Sequence, residues 1–171
     1  MSLVDFKRIA VIGISGSGKS TLARLLAERT GLPLHYGDQL EWCANWQARP
    51  PAEIEALHKS WIEQPRWIIE GWMDVDRIAR LNRADLIIDL SYSSLFCTLR
   101  TLRRMLRNSR RDEMPPGCVD RFSWRMLLVV FCKQERPSID AALAASTLKT
   151  YVRLGSPQKA SDWLKENSAA H

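Results

Sequence analysis

The stretch "GISGSGKST", residues 13–21, decides the fold of this chain, because it places three glycines, three serines and one lysine between two regular patterns. Residues 7–14 form a short apolar run with β-branched side chains, which predicts a buried strand. Residues 19–31 place Leu22, Leu25 and Leu26 on one face of a helix, and Gly31 is suited to end it. Glycine and serine bury little surface, so we expect a ligand to take the place of the missing side chains.

The spacing of this stretch is G-x-x-x-x-G-K-S, the Walker A or P-loop motif, and it lies between a strand and a helix as that motif requires. Glycines let the backbone approach a ligand closely, and successive N–H groups then form an anion nest reinforced by the helix dipole. Lys19 is predicted to neutralise β- and γ-phosphate oxygens, and Ser20 to bind Mg²⁺. The predicted nucleotide-binding residues of this loop are Gly13, Ser15, Gly16, Ser17, Gly18, Lys19, Ser20 and Thr21.

Length and composition narrow the class of protein. The chain has 171 residues, which suits one domain, with 46% hydrophobic and 26% charged residues. Its apolar runs are shorter than the roughly 20 residues that span a bilayer. The N-terminus lacks the layout of a secretory signal, so we expect a cytoplasmic protein without a membrane partner. The four cysteines form no CxxC pair, which favours reduced thiols, and the net charge of +6 fits anionic partners.

Strand and helix patterns alternate along the rest of the chain. Short apolar runs at 33–38, 66–71, 84–91 and 148–155 predict further strands. Helices are predicted at 51–64, 74–82, 91–110, 121–133, 135–146 and 156–167, and Ser156 is expected to cap the last of them, with Pro157 in its first position. This order indicates an α/β fold with a parallel sheet covered by helices on both faces.

Ligands bind such sheets at the carboxyl ends of the strands. That edge is expected to collect Asp38 and the residues at 13–21, 70–72, 89–91 and 155–157. Asp38 is predicted to orient a phosphoryl acceptor or to hold a metal-bound water. Glu70 is preferred over Asp89 as the carboxylate that orders Mg²⁺ waters, because the adjacent Gly71 permits close approach.

Residues 91–111 carry six arginines and no acid, and Leu95, Leu99, Leu102 and Leu106 form an apolar stripe that is expected to pack. The arginines are Arg100, Arg103, Arg104, Arg107, Arg110 and Arg111. A lid would use them on the phosphates of a nucleotide, a nucleic-acid surface would use them on a backbone, and a solvated face would need no ligand. The lid is favoured, because the helix begins at the edge that holds the P-loop.

Five of the seven tryptophans lie between residues 42 and 72. Trp61 and Trp67 fall in helix and strand patterns and are predicted to be core residues. Trp42, Trp46 and Trp72 fall in loops, where they line an acceptor pocket or clamp a loop onto its neighbouring helix.

Several segments together resemble the adenylate-kinase-like P-loop proteins known as DNA topology modulation, or FlaR-type, proteins. These segments are "RIAVIGISGSGKSTLARLLAERTGLPLHYGDQLEW" (8–42), "WIIEGW" (67–72), "RADLIIDL" (83–90), "ERP" (135–137) and "RLGSPQKASDWL" (153–164). The resemblance covers almost the whole chain and implies a single nucleoside-monophosphate-kinase-like domain over 1–171. It also implies a five-stranded parallel sheet, an acceptor-binding region at about 39–65 and a lid at about 100–136.

The resemblance further implies roles for individual residues. Residues 13–21 would bind the phosphates of ATP, Arg103 and Arg107 would be phosphate ligands on the lid, and Ser156 and Pro157 would lie beside the adenine. Two departures leave the acceptor open: residues 70–73 read Glu-Gly-Trp-Met where the family commonly has Asp-Gly-Asn-Tyr, and residues 39–48 contain no arginine to grip a monophosphate.

The sequence therefore favours an ATP- and Mg²⁺-dependent kinase with a nucleotide or another small molecule as acceptor. Lys19, Asp38, Arg103 and Arg107 are its predicted catalytic residues, and Ser20 and Glu70 its metal-binding residues. The alternative is a nucleotide-dependent DNA-binding regulator with little kinase activity. We expect a monomer or a homodimer.

Overall fold

The computed structural model describes residues 2–72, 75–107, 113–119 and 122–168. Within that part the chain forms seven strands, which are β1 Arg8–Gly13, β2 Leu34–Tyr36, β3 Trp42–Cys43, β4 Gln47–Ala48, β5 Trp67–Glu70, β6 Leu86–Leu90 and β7 Tyr151–Leu154. Five of them form one sheet in the order β2-β5-β1-β6-β7, and its neighbouring strands are parallel. The predicted α/β fold with a five-stranded parallel sheet is confirmed.

Eight α-helices accompany the strands in the described part of the chain. They are α1 Lys19–Thr30, α2 Gly37–Glu41, α3 Pro51–Glu63, α4 Arg77–Arg83, α5 Ser94–Arg107, α6 Trp124–Phe131, α7 Arg136–Ala144 and α8 Pro157–Ser168. Gly31 ends α1 in the left-handed conformation, as its position predicted. Ser156 caps α8, because its Oγ accepts a hydrogen bond from the Lys159 backbone N–H at 3.2 Å.

Strand β1 occupies the centre of the sheet, and its residues from Ile9 to Ile12 are fully buried. Parallel pairing places Val11 opposite Glu70 on β5 and Ile12 opposite Asp89 on β6. The carboxyl ends of the three strands therefore meet directly below the P-loop. Trp61 and Trp67 lie in the core, as predicted.

The predicted second strand, 33–38, is too long. β2 ends at Tyr36, and the chain turns at once into the short helix α2. The antiparallel pair β3–β4, which we call the hairpin, then follows. The predicted helix at 91–110 is α5, and its predicted end at 108–110 lies outside the described residues. None of the helices in the described ranges is both long and apolar enough to span a bilayer.

Candidate active site

The P-loop connects β1 to α1 through a tight turn in which the Ser17 N–H donates to the Ile14 carbonyl at 3.2 Å. Gly16 and Gly18 have φ of +80° and +93°, a region that residues with a Cβ avoid. The Ser17 side chain is buried, whereas Lys19 lies at the first position of α1. The Lys19 ammonium donates a hydrogen bond to the Ile14 carbonyl at 3.2 Å, so the side chain folds back over the P-loop.

Helix α5 packs directly on the loop, and Gly16 leaves the space for it. A Cβ on Gly16 would lie 2.5 Å from the Cys97 carbonyl oxygen and 2.6 Å from Thr101 Oγ1. One turn further along α5, Arg100 lies over the loop, since a Cβ on Gly18 would be 2.9 Å from its Nη1. The loop glycines thus leave space for the neighbouring helix α5.

Gly16→Ala is expected to destabilise the protein by about 3 kcal/mol or more, because a Cβ there meets backbone and must also adopt a left-handed conformation. The matched control is Gly31→Ala. Gly31 has φ of +65° but nothing within 4 Å of a built Cβ, so only the conformational cost of about 1 kcal/mol remains. Urea unfolding of both variants measures the difference, and equal losses would contradict the close packing of α5 on the loop.

The loop opens into a cavity of about 950 Å³. Its lining combines loop residues, five acids, four arginines of α5 and three tryptophans. The polar and aromatic lining residues are Ser15, Lys19, Ser20, Thr21, Asp38, Glu41, Trp42, Trp46, Glu70, Trp72, Arg100, Arg103, Arg104, Arg107, Glu113, Ser123 and Glu135. Cationic groups for an anionic ligand and carboxylates for a metal or an acceptor therefore face one space.

Glu70 ends β5 and is only 3% exposed. Burial raises the pKa of its carboxyl to about 7, and the neighbouring Asp38 and Glu113 add to the shift. Lys19 and a hydrogen bond from Ser20 act in the opposite direction and favour the carboxylate. Ser20 and Glu70 are therefore neighbours beside the P-loop, and their predicted role in binding Mg²⁺ stays a prediction.

Asp38 lies in the first turn of α2 and lines the cavity together with Glu41. Burial raises the pKa of the Glu41 carboxyl, and Asp38 raises it further. Both carboxylates belong to an element that the sequence did not predict. Because α2 starts immediately after β2, Asp38 still reaches the carboxyl edge of the sheet.

Asp89 was the alternative to Glu70 as the carboxylate that orders Mg²⁺ waters, and its side chain is fully buried. It accepts hydrogen bonds from Arg136 Nη1 at 2.8 Å and from the Tyr151 hydroxyl at 2.7 Å, and Arg153 Nε lies 3.3 Å away. These contacts join β6, β7 and α7. Asp89 therefore anchors the sheet to α7, and Glu70 is the strand-end carboxylate that lines the cavity.

Trp42, Trp46 and Trp72 line the cavity, and both interpretations of these tryptophans, acceptor pocket and loop clamp, stay predictions. Trp42 and Trp46 pack edge to face in the hairpin with ring centroids 5.4 Å apart. Trp72 lies under the guanidinium of Arg77 at 5.0 Å and donates through Nε1 to Ser138 Oγ at 2.8 Å. Part of each ring remains available to a flat ligand.

The hairpin tip reaches across to the segment 113–119. The Asn45 N–H donates to the Pro116 carbonyl at 3.0 Å, and Trp46 Nε1 donates to the Val119 carbonyl at 3.2 Å. Asn45 and Trp46 both have a φ of 58°, an unfavourable conformation that these contacts hold in place. The hairpin and this segment thus meet across the cavity.

The arginines of α5 line the cavity, but the leucine stripe does not pack as expected. Leu95, Leu99 and Leu106 are 60%, 57% and 70% exposed, so that prediction is wrong for these three. Cys97, Thr101 and Met105 form the buried side of α5 instead, because the close approach to Gly16 admits only small groups at the loop. Arg110 and Arg111 lie outside the described residues.

Ser156 and Pro157 begin α8 and are not among the residues that line this cavity, so their predicted adenine contact stays a prediction.

Sequence reasoning missed Glu135 as a residue of the site. Its carboxylate accepts hydrogen bonds from the Ser15 N–H at 2.8 Å and the Ser15 hydroxyl at 3.0 Å. The "ERP" segment was the only available signal, and a single acid at a helix start does not reveal a partner 120 residues away.

No family model matches the chain, and no curated protein matches it. Solved structures do. Shikimate kinase from Acinetobacter baumannii in complex with shikimate matches with a TM-score of 0.57 and 14% identity over 94% of this chain and 89% of that one. A protein of Chloroflexus aurantiacus described as a candidate kinase matches with a TM-score of 0.56 and 18% identity, over 94% of this chain and 95% of that one. Shikimate kinase from Bacteroides thetaiotaomicron matches with a TM-score of 0.54 and 15% identity, over 94% of this chain and 95% of that one. At these identities the likeness shows a shared fold.

Proposed function

We propose that this chain is an ATP-dependent kinase that transfers the γ-phosphoryl group to a small-molecule or nucleotide acceptor. The observation that carries the proposal is the single cavity in which the P-loop, the arginines of α5 and the carboxylates of α2 and β5 meet. The fold that the chain shares with shikimate kinases supports it. Phosphoryl transfer needs this combination, because it depends on positioning and on stabilising charge rather than on covalent chemistry.

ATP would bind with its phosphates in the P-loop. The backbone N–H groups of the loop and the N-terminus of α1 supply fixed donors, and Lys19 and Arg100 supply positive charge. Arg103 and Arg107 line the cavity on successive turns of the same helix face, where they would stabilise the charge of the transferring group. In this proposal residues at about 100–136 act as the lid.

The residues at the loop fit Mg²⁺. The Ser20 hydroxyl and the Glu70 carboxyl are neighbours beside Lys19, and one or two protein oxygens are what Mg²⁺ uses when phosphates and waters complete its shell. The ion would neutralise charge on the β- and γ-phosphates. Glu70 must be ionised for this role, which Lys19 and Ser20 promote against the cost of burial.

The acceptor would enter from the region of about 39–65, between Asp38 and the hairpin tryptophans. Asp38 would orient its hydroxyl and receive its proton as the hydroxyl oxygen bonds to the γ-phosphorus. The bond from that phosphorus to the β–γ bridging oxygen breaks, and ADP leaves. An acceptor with one flat or apolar face fits the aromatic lining.

Formation of ADP in the presence of ATP, Mg²⁺ and a panel of acceptors tests the proposal. The panel contains nucleoside monophosphates, nucleosides and small hydroxyl compounds, with shikimate included because one structural neighbour is bound to it. At least one acceptor is expected to stimulate ADP formation well above the rate with water. A protein that forms no acceptor-dependent ADP but binds DNA with a steep salt dependence would overturn it.

A further inference from the structure

The P-loop already holds an internal anion. The Glu135 carboxylate engages Ser15 through two hydrogen bonds, one from the backbone N–H at 2.8 Å and one from the hydroxyl at 3.0 Å. A carboxylate that accepts a backbone N–H and a hydroxyl in parallel uses the same donors that a phosphate oxygen would use. Glu135 also lines the cavity, so it lies where a ligand would contact it.

The fold fixes Glu135 in this place. It is the residue that precedes α7, and the next residue, Arg136, is bound to the fully buried Asp89 and to Asp140. On its other side the chain turns tightly through Lys133, which has a φ of 50°. The carboxylate is therefore presented to Ser15 by anchored backbone on α7.

Ser15 lies three residues before Gly18, which precedes α1, on the side of the loop that follows β1. The amides around Gly18, Lys19 and Ser20 surround the start of the helix and serve the inner phosphates of a bound nucleotide. Ser15 is left for the outermost phosphate. A γ-phosphate and the Glu135 carboxylate would compete for the same two donors, and their like charges would repel at close range.

We propose that Glu135 is a specificity-determining residue that sets the relative affinity for nucleoside triphosphate and diphosphate. With a diphosphate bound, Glu135 keeps its hydrogen bonds to Ser15. A triphosphate must displace it, so the intact carboxylate lowers triphosphate affinity selectively and favours release of the triphosphate over the diphosphate. This inference rests on the proposed nucleotide site and adds to it a residue that discriminates by the terminal phosphate.

Isothermal titration of the full chain with AMP-PNP and with ADP, each with Mg²⁺, tests the inference in wild type and Glu135→Gln. Glutamine keeps an oxygen acceptor for the Ser15 N–H but removes the charge. The Kd for AMP-PNP is expected to fall about tenfold, while the Kd for ADP changes less than about twofold. Glu135→Ala is a second variant with the same expected direction.

Glu28→Gln is the matched control, because Glu28 is an exposed acid on α1 and its loss changes net charge by the same amount. It is expected to shift both nucleotides equally and slightly. If Glu135→Gln shifts AMP-PNP and ADP by the same factor, or weakens AMP-PNP, the inference is overturned while nucleotide binding stands. Failure of the wild-type chain to bind either nucleotide would overturn the proposed function as well.

Discussion

Lys19→Ala is expected to raise the Kd for ATP by roughly 100-fold, which corresponds to about 3 kcal/mol of charge-assisted hydrogen bonding. The lysine starts α1, and its ammonium already lies over the loop at 3.2 Å from the Ile14 carbonyl. It can therefore swing onto β- and γ-oxygens without rearrangement of the backbone. Fluorescent-nucleotide titration with Mg²⁺ measures the effect.

The control for this experiment is Lys159→Ala. Lys159 is an exposed lysine in the first turn of α8, so its loss removes the same charge and the same side chain away from the cavity. It should leave the Kd unchanged within about twofold, since isolated surface charges contribute little. A Lys19→Ala protein that is folded and binds ATP as the wild type does would be incompatible with a working P-loop.

Glu70→Gln is expected to make the protein more stable and less active at once. Burial raises the Glu70 pKa to about 7 from an ordinary value of 4.5. Between these two pH values the folded protein retains a proton that the unfolded chain releases, so wild-type stability falls as pH rises through this window. Glutamine is neutral throughout, so the stability of the variant relative to the wild type should rise with pH across this window, and loss of the Glu70 charge near the buried Arg80 guanidinium offsets part of that gain.

Turnover should respond in the opposite direction, because glutamine cannot supply the carboxylate that the proposed Mg²⁺ site would use. We expect a loss of roughly 10- to 100-fold in kcat, typical of removing a group that orients a metal site. Urea unfolding of nucleotide-free protein at pH 5 and pH 8, beside ADP formation, gives both readings. Asp162→Asn on α8 is the control, and a stability gain of Glu70→Gln that is independent of pH would refute the explanation from ionisation.

Local patterns in the sequence predicted most of the sheet and the helix ends. The apolar runs around Ile9, Ile68 and Ile87 are buried on both faces in a parallel sheet, so each appears as a continuous apolar run. Gly31 and Ser156 mark helix ends because each satisfies a local backbone requirement. Ligands bind parallel sheets at the carboxyl ends of the strands, and this rule predicted that the P-loop, Asp38 and Glu70 lie at one edge without information on their side-chain contacts.

Features that depend on contacts between distant segments escaped prediction. The leucines of α5 have the spacing of a packing stripe. The side of α5 that packs is instead the one that carries Thr101, which lies close to Gly16. The hairpin contacts the segment 113–119, and Glu135 contacts Ser15 next to the Arg136–Asp89 ion pair. Periodicity within a segment carries no information about such partners.

The contact between the hairpin and segment 113–119 has a kinetic consequence. Trp46, Asn45 and Cys118 join the two sides of the cavity through hydrogen bonds of 3.0–3.4 Å between residues about 70 positions apart in the chain. Opening of these bonds would widen the exit for a molecule bound in the cavity. Residence time in the cavity would then depend both on this opening, on the microsecond-to-millisecond scale of loop motions, and on how tightly the molecule binds the loop.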